Sequence, residues 1–126
     1  MDIRPSEELA AFARSLYLAM GAGDAAAVEA FYSLDPHAVF VGTDGDEFWT
    51  DPEQHNRDVR PYWERAGNVM TPGDLHAFEC GEVGWVVDRP TFRLADGQQY
   101  DMRLTFVLHR TDGAWKIVHS HASVGG

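Results

Sequence analysis

Cysteine is nearly absent from this chain, and long apolar runs are missing altogether. Cys80 is the single cysteine, which excludes an intrachain disulfide framework and a site built on several thiolates. No apolar run is long enough to cross a bilayer, and the polar first residues lack an apolar signal region. We therefore expect a cytoplasmic protein.

Basic residues are also scarce, since 10 of them stand against 20 acidic ones and leave a formal net charge of -10. Such a charge makes nucleic acid and anionic membrane surfaces poor partners. The acidic residues are scattered rather than gathered in a tail, which is typical of a soluble surface. With 126 residues, 44% of them hydrophobic, the chain predicts one domain over 1–126 that can bury a core and still hold a pocket.

Capping signals predict three helices in the first half of the chain. Ser6, followed by two glutamates, starts the first helix, and Asp24 starts a short second one. A short strand over 37–42 follows. The pair Asp51-Pro52 starts a third helix, which we expect to run to about Ala66.

From residue 75 onward the pattern changes to strands. We expect them at roughly 75–80, 83–92, 98–110 and 114–123, separated by turn residues. Helices first and strands last predict an α+β fold, in which a curved antiparallel sheet forms a cone wrapped over the three helices. Such a cone leaves a cavity, which is the default site for a small ligand.

The last hairpin decides which residues share a face. A three-residue loop would pair Arg110 with Ala114. One face then holds alternate apolar residues, and it includes Phe106, Ser120 and Ala122. The other face is more polar, and its members are Arg103, Thr105, Val107, His109, Trp115, Ile117, His119, His121 and Ser123. A two-residue loop would shift this register by one residue.

The polar face admits three interpretations. It can be a subunit interface or a half-exposed outer face with hydrogen-bonded histidines. It can be a pocket wall in which Arg103 holds an oxygen atom while His119 or His121 moves protons. A metal site is the least favoured of the three, because two histidines are too few ligands and no third ligand is placed beside them. We predict neither a metal nor a cofactor.

The segment 107–123 resembles the closing hairpin of the nuclear transport factor 2-like superfamily, with SnoaL-like and kinase-association domains as the nearest branches. Residues 40–47 also resemble SnoaL-like domains. The resemblance implies a cystatin-like roll. In the association domain of calcium/calmodulin-dependent protein kinase II, arginines line the pocket. Two of those positions fall on Phe106 and Ala122 here, which implies a mostly apolar cavity.

Related enzymes of this superfamily imply acid–base chemistry without a cofactor. Ketosteroid isomerases use a tyrosine and two aspartates, but the matching positions here hold Leu16 and Gly42, and Tyr17 is expected to point elsewhere. SnoaL-like polyketide cyclases use an aspartate. The carboxylates that could serve here occupy turns or strand ends, where solvation is the usual state: Asp44, Asp46, Glu47 and Asp88.

We therefore predict a small-molecule-binding domain, with isomerase, cyclase or dehydratase activity as its enzymatic form and a non-catalytic oligomerisation module as the alternative. A homodimer packed sheet to sheet is expected. His55 becomes the strongest single base if it turns inward beside Val59 and Tyr62. The catalytic candidates are His55, Asp44, His119 and His121. The ligand-binding candidates are Trp49, Tyr62, Trp63, Trp85, Arg103, Phe106, Ser120 and Ala122.

Overall fold

The structure, a computed structural model, describes residues 1–125. The helices are α1 (Glu7–Ala22), α2 (Ala25–Glu29) and α3 (Pro52–Trp63). The strands are β1 (Arg4–Pro5), β2 (Val39–Val41), β3 (Phe48–Trp49), β4 (Val69–Thr71), β5 (His76–Cys80), β6 (Val83–Asp88), β7 (Thr91–Arg93), β8 (Gln99–Thr111) and β9 (Ala114–Val124).

One curved sheet runs in the order β1-β5-β6-β8-β9-β2-β3, and β7 pairs with both β8 and β4 beside it. The predicted α+β fold, with a curved sheet over three helices, is confirmed. The sheet is mixed rather than wholly antiparallel, because β2 runs parallel to β9, with Val39 opposite His119. These two strands are far apart in sequence, so no hairpin dictates their relative direction.

Local signals place the helix starts where the sequence predicts them. Ser6 Oγ accepts a hydrogen bond of 3.1 Å from the Leu9 N–H at the start of α1. The Asp51 carboxylate does the same for the Glu53 N–H at 3.0 Å. The third helix ends at Trp63, short of the predicted Ala66, and the Glu64 N–H makes its last bond, to the Arg60 carbonyl.

The last hairpin has a two-residue turn, so the predicted pairing of Arg110 with Ala114 is wrong. Thr111 pairs with Ala114 instead. Asp112 and Gly113 have φ values of 52° and 80°, and positive φ at both central positions is what a tight hairpin turn of this kind requires. The aspartate tolerates this backbone conformation at modest cost.

A β-bulge then changes the register further along the same hairpin. Leu108 pairs with Ile117 but Val107 pairs with His119, which leaves Val118 as the extra residue. Trp115 and Ile117 are therefore buried, 6% and 0% exposed, although the expected register put them on the polar face. The shift at the turn and the shift at the bulge add up to two residues, so beyond the bulge each residue lies on its predicted face but pairs two residues further along, as Thr105 does with His121 instead of His119.

The core lies between α1 and the inner face of the sheet. Four residues on one side of α1 are buried: Leu9, Ala13, Leu16 and Tyr17. They form one cluster with buried residues of the sheet, which include Val86, Phe106, Leu108 and Ile117. Side chains thus fill the inside of the cone. Within residues 1–125, no helix is long and apolar enough to span a membrane.

Candidate functional site

His55 turns inward from α3 and is only 4% exposed. Four aromatic rings surround its imidazole, with ring centres at 4.3 Å for Phe40, 5.0 Å for Trp49, 5.2 Å for Tyr32 and 5.5 Å for Trp63. These rings come from α3, from β2 and β3, and from the segment after α2. We call this group the His55 cluster. It places the imidazole in an aromatic surrounding.

The hydrogen bonding of His55 defines its protonation. Its Nδ1 lies 2.9 Å from the Asn56 side-chain oxygen. Because an amide oxygen only accepts, Nδ1 carries the proton and Nε2 keeps its lone pair in the neutral ring. Burial lowers the pKa of His55 below its ordinary value, against smaller opposing effects of the Asn56 hydrogen bond and the Asp58 charge. His55 is therefore a neutral base at pH 7.

Trp49 closes one side of the His55 cluster. Its indole N–H donates to Asp58 Oδ2 at 2.9 Å, and Gln54 donates to the other oxygen of the same carboxylate at 2.7 Å. These bonds hold the indole edge toward the imidazole, at an interplanar angle of 79°. Trp49 also pairs with Phe40 of β2 at the edge of the sheet and packs against the hydrophobic core.

Tyr32 supplies a phenol to the same cluster. Its ring stacks on Trp63 at 5.2 Å and meets Phe40 edge-on at 5.4 Å. Burial raises the pKa of Tyr32 above its ordinary value. The hydroxyl therefore keeps its proton at neutral pH.

A second buried polar pair connects α1 to the sheet. The Tyr17 hydroxyl donates to Asp88 Oδ2 at 2.8 Å, and Asp88 Oδ1 accepts from the Gly73 and Asp74 N–H groups at 3.1 and 2.9 Å. Burial is the largest effect that raises the pKa of Tyr17. The hydrogen bond to Asp88 and the negative charge of Asp88 raise it further. The carboxylate has donors at both oxygens, which is typical of a structural tie.

Two sequence expectations fail at this pair. Tyr17 does not point elsewhere, and Asp88 is not solvated, being 1% exposed. Helical spacing could have found Tyr17, which lies eight residues after the buried Leu9 and so on the same face of α1. Strand alternation could have found Asp88, because Gly84, Val86 and Asp88 share the buried face of β6.

Some predicted ligand-binding residues do lie inside the cone. Trp49 and Trp63 belong to the His55 cluster. Phe106 and Ser120 are buried opposite each other on β8 and β9, and Ala122 packs on the same core. His55 turns inward, as the hypothesis that makes it the strongest base requires, but Tyr62 is exposed and does not join it. The imidazole meets the four aromatic rings named above.

Other predicted residues lie apart from this cluster. Asp44 is exposed in the turn after β2, where its own N–H donates to Glu47 Oε1 at 2.8 Å. Tyr62 is 59% exposed, with the Arg65 guanidinium over its ring at 5.1 Å. Each therefore faces away from His55, because the turn and the outer side of α3 carry these side chains into solvent.

The remaining candidates lie on the outer face of the sheet. His119 Nδ1 is 2.8 Å from the Val39 carbonyl oxygen, while His121 and Arg103 are exposed. Trp85 is half-buried, with its ring centre 6.0 Å from that of Phe78. His55 thus lies on the inner side of the sheet, whereas His119 and His121 lie on its outer face, so the predicted catalytic residues do not form one site. Across residues 1–125, no three His, Cys, Asp or Glu side chains are grouped to hold a metal ion.

Two surface grooves lie outside the His55 cluster. The larger, about 570 Å³, is on the outer face, and we call it the outer groove. Among its lining residues are Asp35, His37, Val83, Val107, His109, Val118 and His119. The second, about 460 Å³, includes Arg89 and Arg103 in its lining. Neither groove is lined by His55 or its four rings.

The lowered pKa of His55 predicts an acid-sensitive contribution to stability. The unfolded chain binds a proton at His55 more readily than the folded chain does. The free energy of unfolding therefore decreases as the pH falls. This contribution is complete above the ordinary pKa of 6.5 and is lost as the pH falls through the lower native value. Urea unfolding between pH 7.5 and 5.0 should show a flatter pH dependence for His55→Gln than for the wild type.

His76 offers a matched control for that measurement, because it is exposed and binds Asp74 on the surface. His76→Gln should leave the slope almost unchanged. Equal slopes for wild type and His55→Gln would show that His55 titrates in the folded protein as it does in the unfolded chain.

Comparisons with known proteins place these features in a family. The SnoaL-like domain family matches residues 9–125. A provisionally assigned calcium/calmodulin-dependent protein kinase II association domain from Xanthomonas campestris superposes with a TM-score of 0.79 at 22% identity, covering 94% of this chain and 86% of that one. No curated protein gives a match.

Two further solved structures are similar. A provisionally assigned dehydratase of the NTF2-like family from Streptomyces avermitilis has a TM-score of 0.79 at 17% identity, covering 95% of each chain. An NTF2-like protein of unknown function in nutrient uptake from Rhodospirillum rubrum has a TM-score of 0.72 at 24% identity, covering 95% of this chain and all, 100%, of that one. At these identities the likeness shows the fold alone. The family match over residues 9–125 shows more: this chain belongs to the SnoaL-like domain family.

Proposed function

We propose that this domain binds a small, uncharged organic molecule beside His55 and catalyses proton transfer on it without a cofactor. Among such reactions we favour dehydration of a β-hydroxy carbonyl compound. The observation that carries the proposal is the protonation of His55, which is neutral and buried, with Nδ1 bound to Asn56. A base whose ring is oriented by a neighbour and whose pKa is set by burial is what general-base catalysis requires.

The chemistry needs one base and one returning proton. Nε2 of His55 would take a proton from the carbon next to the carbonyl group, and the electron pair of that C–H bond would form the new double bond. The bond from the β-carbon to its hydroxyl group would break as the same proton passes to the leaving oxygen. One water molecule leaves and His55 returns to its neutral form, so no metal or redox cofactor enters the balance.

Tyr32 would assist by hydrogen bonding. Its phenol keeps its proton at neutral pH because burial raises its pKa, and its ring lies 5.2 Å from that of His55. A donor of this kind stabilises the negative charge that develops on a carbonyl oxygen during proton abstraction. The raised pKa keeps the phenol from losing its own proton to the enolate.

The surroundings of His55 favour an uncharged, planar ligand. Aromatic rings form most of the cluster, and the net charge of -10 would repel a free carboxylate. Entry would follow displacement of Trp49, whose side chain is held by Asp58. The similar protein from Streptomyces avermitilis is provisionally assigned as a dehydratase, which agrees with the proposed reaction. At 17% identity, the likeness itself shows only a shared fold.

We favour this function over an oligomerisation module, since a module without chemistry needs no neutral base within an aromatic cluster. The sheet-to-sheet homodimer and the cytoplasmic location stay predictions.

Hydrogen–deuterium exchange at carbon tests the proposal on a class of compounds rather than on one chosen substrate. The purified protein would be incubated in D2O with a panel of β-hydroxy ketones and β-hydroxy thioesters. ¹H NMR would follow both the loss of the α-proton signal and the appearance of vinyl protons. We expect catalysed exchange with at least one compound, and a fall of about a hundredfold in His55→Gln, since a positioned general base contributes roughly that much or more.

His76→Gln is again the control, because its ring is exposed and remote from the aromatic cluster. Circular dichroism would verify that both variants are folded. Catalysed exchange that survives in His55→Gln would remove His55 from the mechanism, and a panel that shows no exchange above the buffer rate would remove the proposed reaction.

A further inference from the structure

We propose that the outer groove is a second ligand site, which takes an organic ammonium ion with an apolar body, such as an alkylamine in its protonated form. The site is separate from the His55 cluster and does not depend on the proposed reaction. Its support is the combination of an apolar floor, a carboxylate on the rim and a lining without arginine or lysine.

Valine side chains form the apolar floor of the outer groove. Val83 of β6, Val107 of β8 and Val118 of β9 all line it, and Val83 is exposed to 42%. Val118 is the extra residue of the β-bulge. A bulge re-aims side chains locally, and here it adds Val118 to the groove. A hydrocarbon chain laid on this floor would remove apolar surface from water.

The rim presents a negative charge. Asp35 Oδ1 accepts the His37 backbone N–H at 2.8 Å and lies 3.1 Å from His37 Nδ1. The His37 backbone hydrogen bond, then its side-chain hydrogen bond, hold the pKa of Asp35 below its ordinary value. Asp35 is therefore ionised at neutral pH, and its second oxygen, Oδ2, is open to a ligand.

Three imidazoles also line the groove, those of His37, His109 and His119. His119 Nδ1 lies 2.8 Å from the Val39 carbonyl oxygen, and His37 Nδ1 lies 3.1 Å from Asp35 Oδ1. His109 Nδ1 lies 2.8 Å from Thr111 Oγ1. The acceptor for an ammonium group is therefore the Asp35 carboxylate, the carboxylate of this lining.

The charge balance selects a cation over an anion. None of the residues lining the outer groove, within the described part of the chain, is an arginine or a lysine. The overall charge of -10 further raises the local concentration of cations. Since His, Asp, Glu and Cys side chains of residues 1–125 are not grouped in threes around a metal position, an organic cation fits better than a metal ion.

Isothermal titration calorimetry with three six-carbon probes tests this inference. We expect saturable binding of hexylammonium, with hexanol weaker and hexanoate weaker still. Asp35→Asn should weaken hexylammonium binding about threefold to fivefold, as the loss of one exposed charge partner does. The asparagine oxygen can still accept the His37 N–H, so the loop should keep its shape.

Asp44→Asn is the matched control, because Asp44 is also exposed in a turn but does not line the groove. It should bind hexylammonium as the wild type does. ¹H–¹⁵N NMR should place the largest shifts at Val83, Val107 and Val118. His55→Gln should keep this binding, which separates the outcome from that of the dehydratase proposal. Equal binding of hexanoate, or an Asp35→Asn variant with unchanged affinity, would refute the ammonium site.

The oligomeric state is a further test, since the predicted sheet-to-sheet dimer would bury the same face. Analytical ultracentrifugation should find that the wild type is a monomer, or a dimer that Val83→Glu and Val107→Glu leave intact. In either case the groove is open to a ligand. A dimer in which Val83→Glu and Val107→Glu both restore the monomer would assign the valine floor to a second copy of the chain, and the inference would be wrong.

Discussion

Asp88→Ala is expected to lower the free energy of unfolding by about 2–4 kcal/mol, because three hydrogen-bond donors lose their acceptor. Those donors are the buried Tyr17 hydroxyl and the backbone N–H groups of Gly73 and Asp74. The backbone donors belong to exposed residues and can turn to water. The Tyr17 hydroxyl is buried, so the larger share of the loss falls on it. Urea unfolding at pH 7 measures the difference.

Tyr17→Phe removes only the hydrogen bond between the Tyr17 hydroxyl and Asp88. It should lower the free energy of unfolding by about 1–3 kcal/mol, because one oxygen of a buried carboxylate then lacks its donor. The double variant should lose less than the sum of the two single losses, because the residues are partners. Asp74→Ala keeps the backbone donor and removes only an exposed side chain, so it should change little. Additive losses would mean that the two residues contribute independently.

Gly84→Val is expected to destabilise the fold by about 3 kcal/mol or prevent folding, because α1 lies too close to β6 for a side chain. A Cβ at Gly84 would be 2.2 Å from Leu9 Cδ1 and 2.9 Å from the Phe78 carbonyl oxygen. Leu9 is fully buried and cannot swing away freely, and the carbonyl belongs to the neighbouring strand. Thermal unfolding followed by circular dichroism would measure the loss.

Gly45 provides the matched control, since a Cβ there would meet nothing within 4 Å. Gly45→Val should unfold close to the wild-type temperature. Gly84→Ala should lie between wild type and Gly84→Val, which keeps the test informative if the valine variant does not fold. Wild-type stability in Gly84→Val would show that α1 can shift along β6 at little cost.

The two destabilising sites together explain how α1 is placed on the sheet. Leu9 lies over Gly84 and Tyr17 reaches Asp88. Eight residues of helix rise about 12 Å and four residues of strand about 13 Å, so both contacts form along one line. A close approach at one end and a hydrogen bond at the other thus hold the helix in one position along β6.

Much of the fold follows from local signals in the sequence. The capping residues Ser6, Asp24 and Asp51 start the helices where predicted. The Asp112-Gly113 pair places the last turn. The resemblance of residues 107–123 and 40–47 to SnoaL-like domains predicts the family, which the match over 9–125 shows. Capping and turn formation involve neighbours along the chain, so the sequence alone carries this information.

The candidate site is only partly predictable. His55 turns inward as one hypothesis requires, but its neighbours Tyr32 and Phe40 come from other segments, which local sequence patterns do not connect to it. The sequence predicts that the histidines of the last strand lie on the polar face of the hairpin, and β9 does direct His119 and His121 to the outer face of the sheet. Sequence pattern gives the side of an element on which a residue lies. It does not give which other element meets that side.

Composition, caps and turns thus determined that this chain is an acidic α+β domain with a wrapped sheet. Only the tertiary structure decided three further matters: the parallel pairing of β2 with β9, the bulge at Val118, and the burial of Asp88 against Tyr17. The physical reason is the range of the interactions. A cap or a tight turn is stabilised within a few residues, whereas these three features depend on packing between segments that are distant in sequence, whose free energy is set by the fold as a whole.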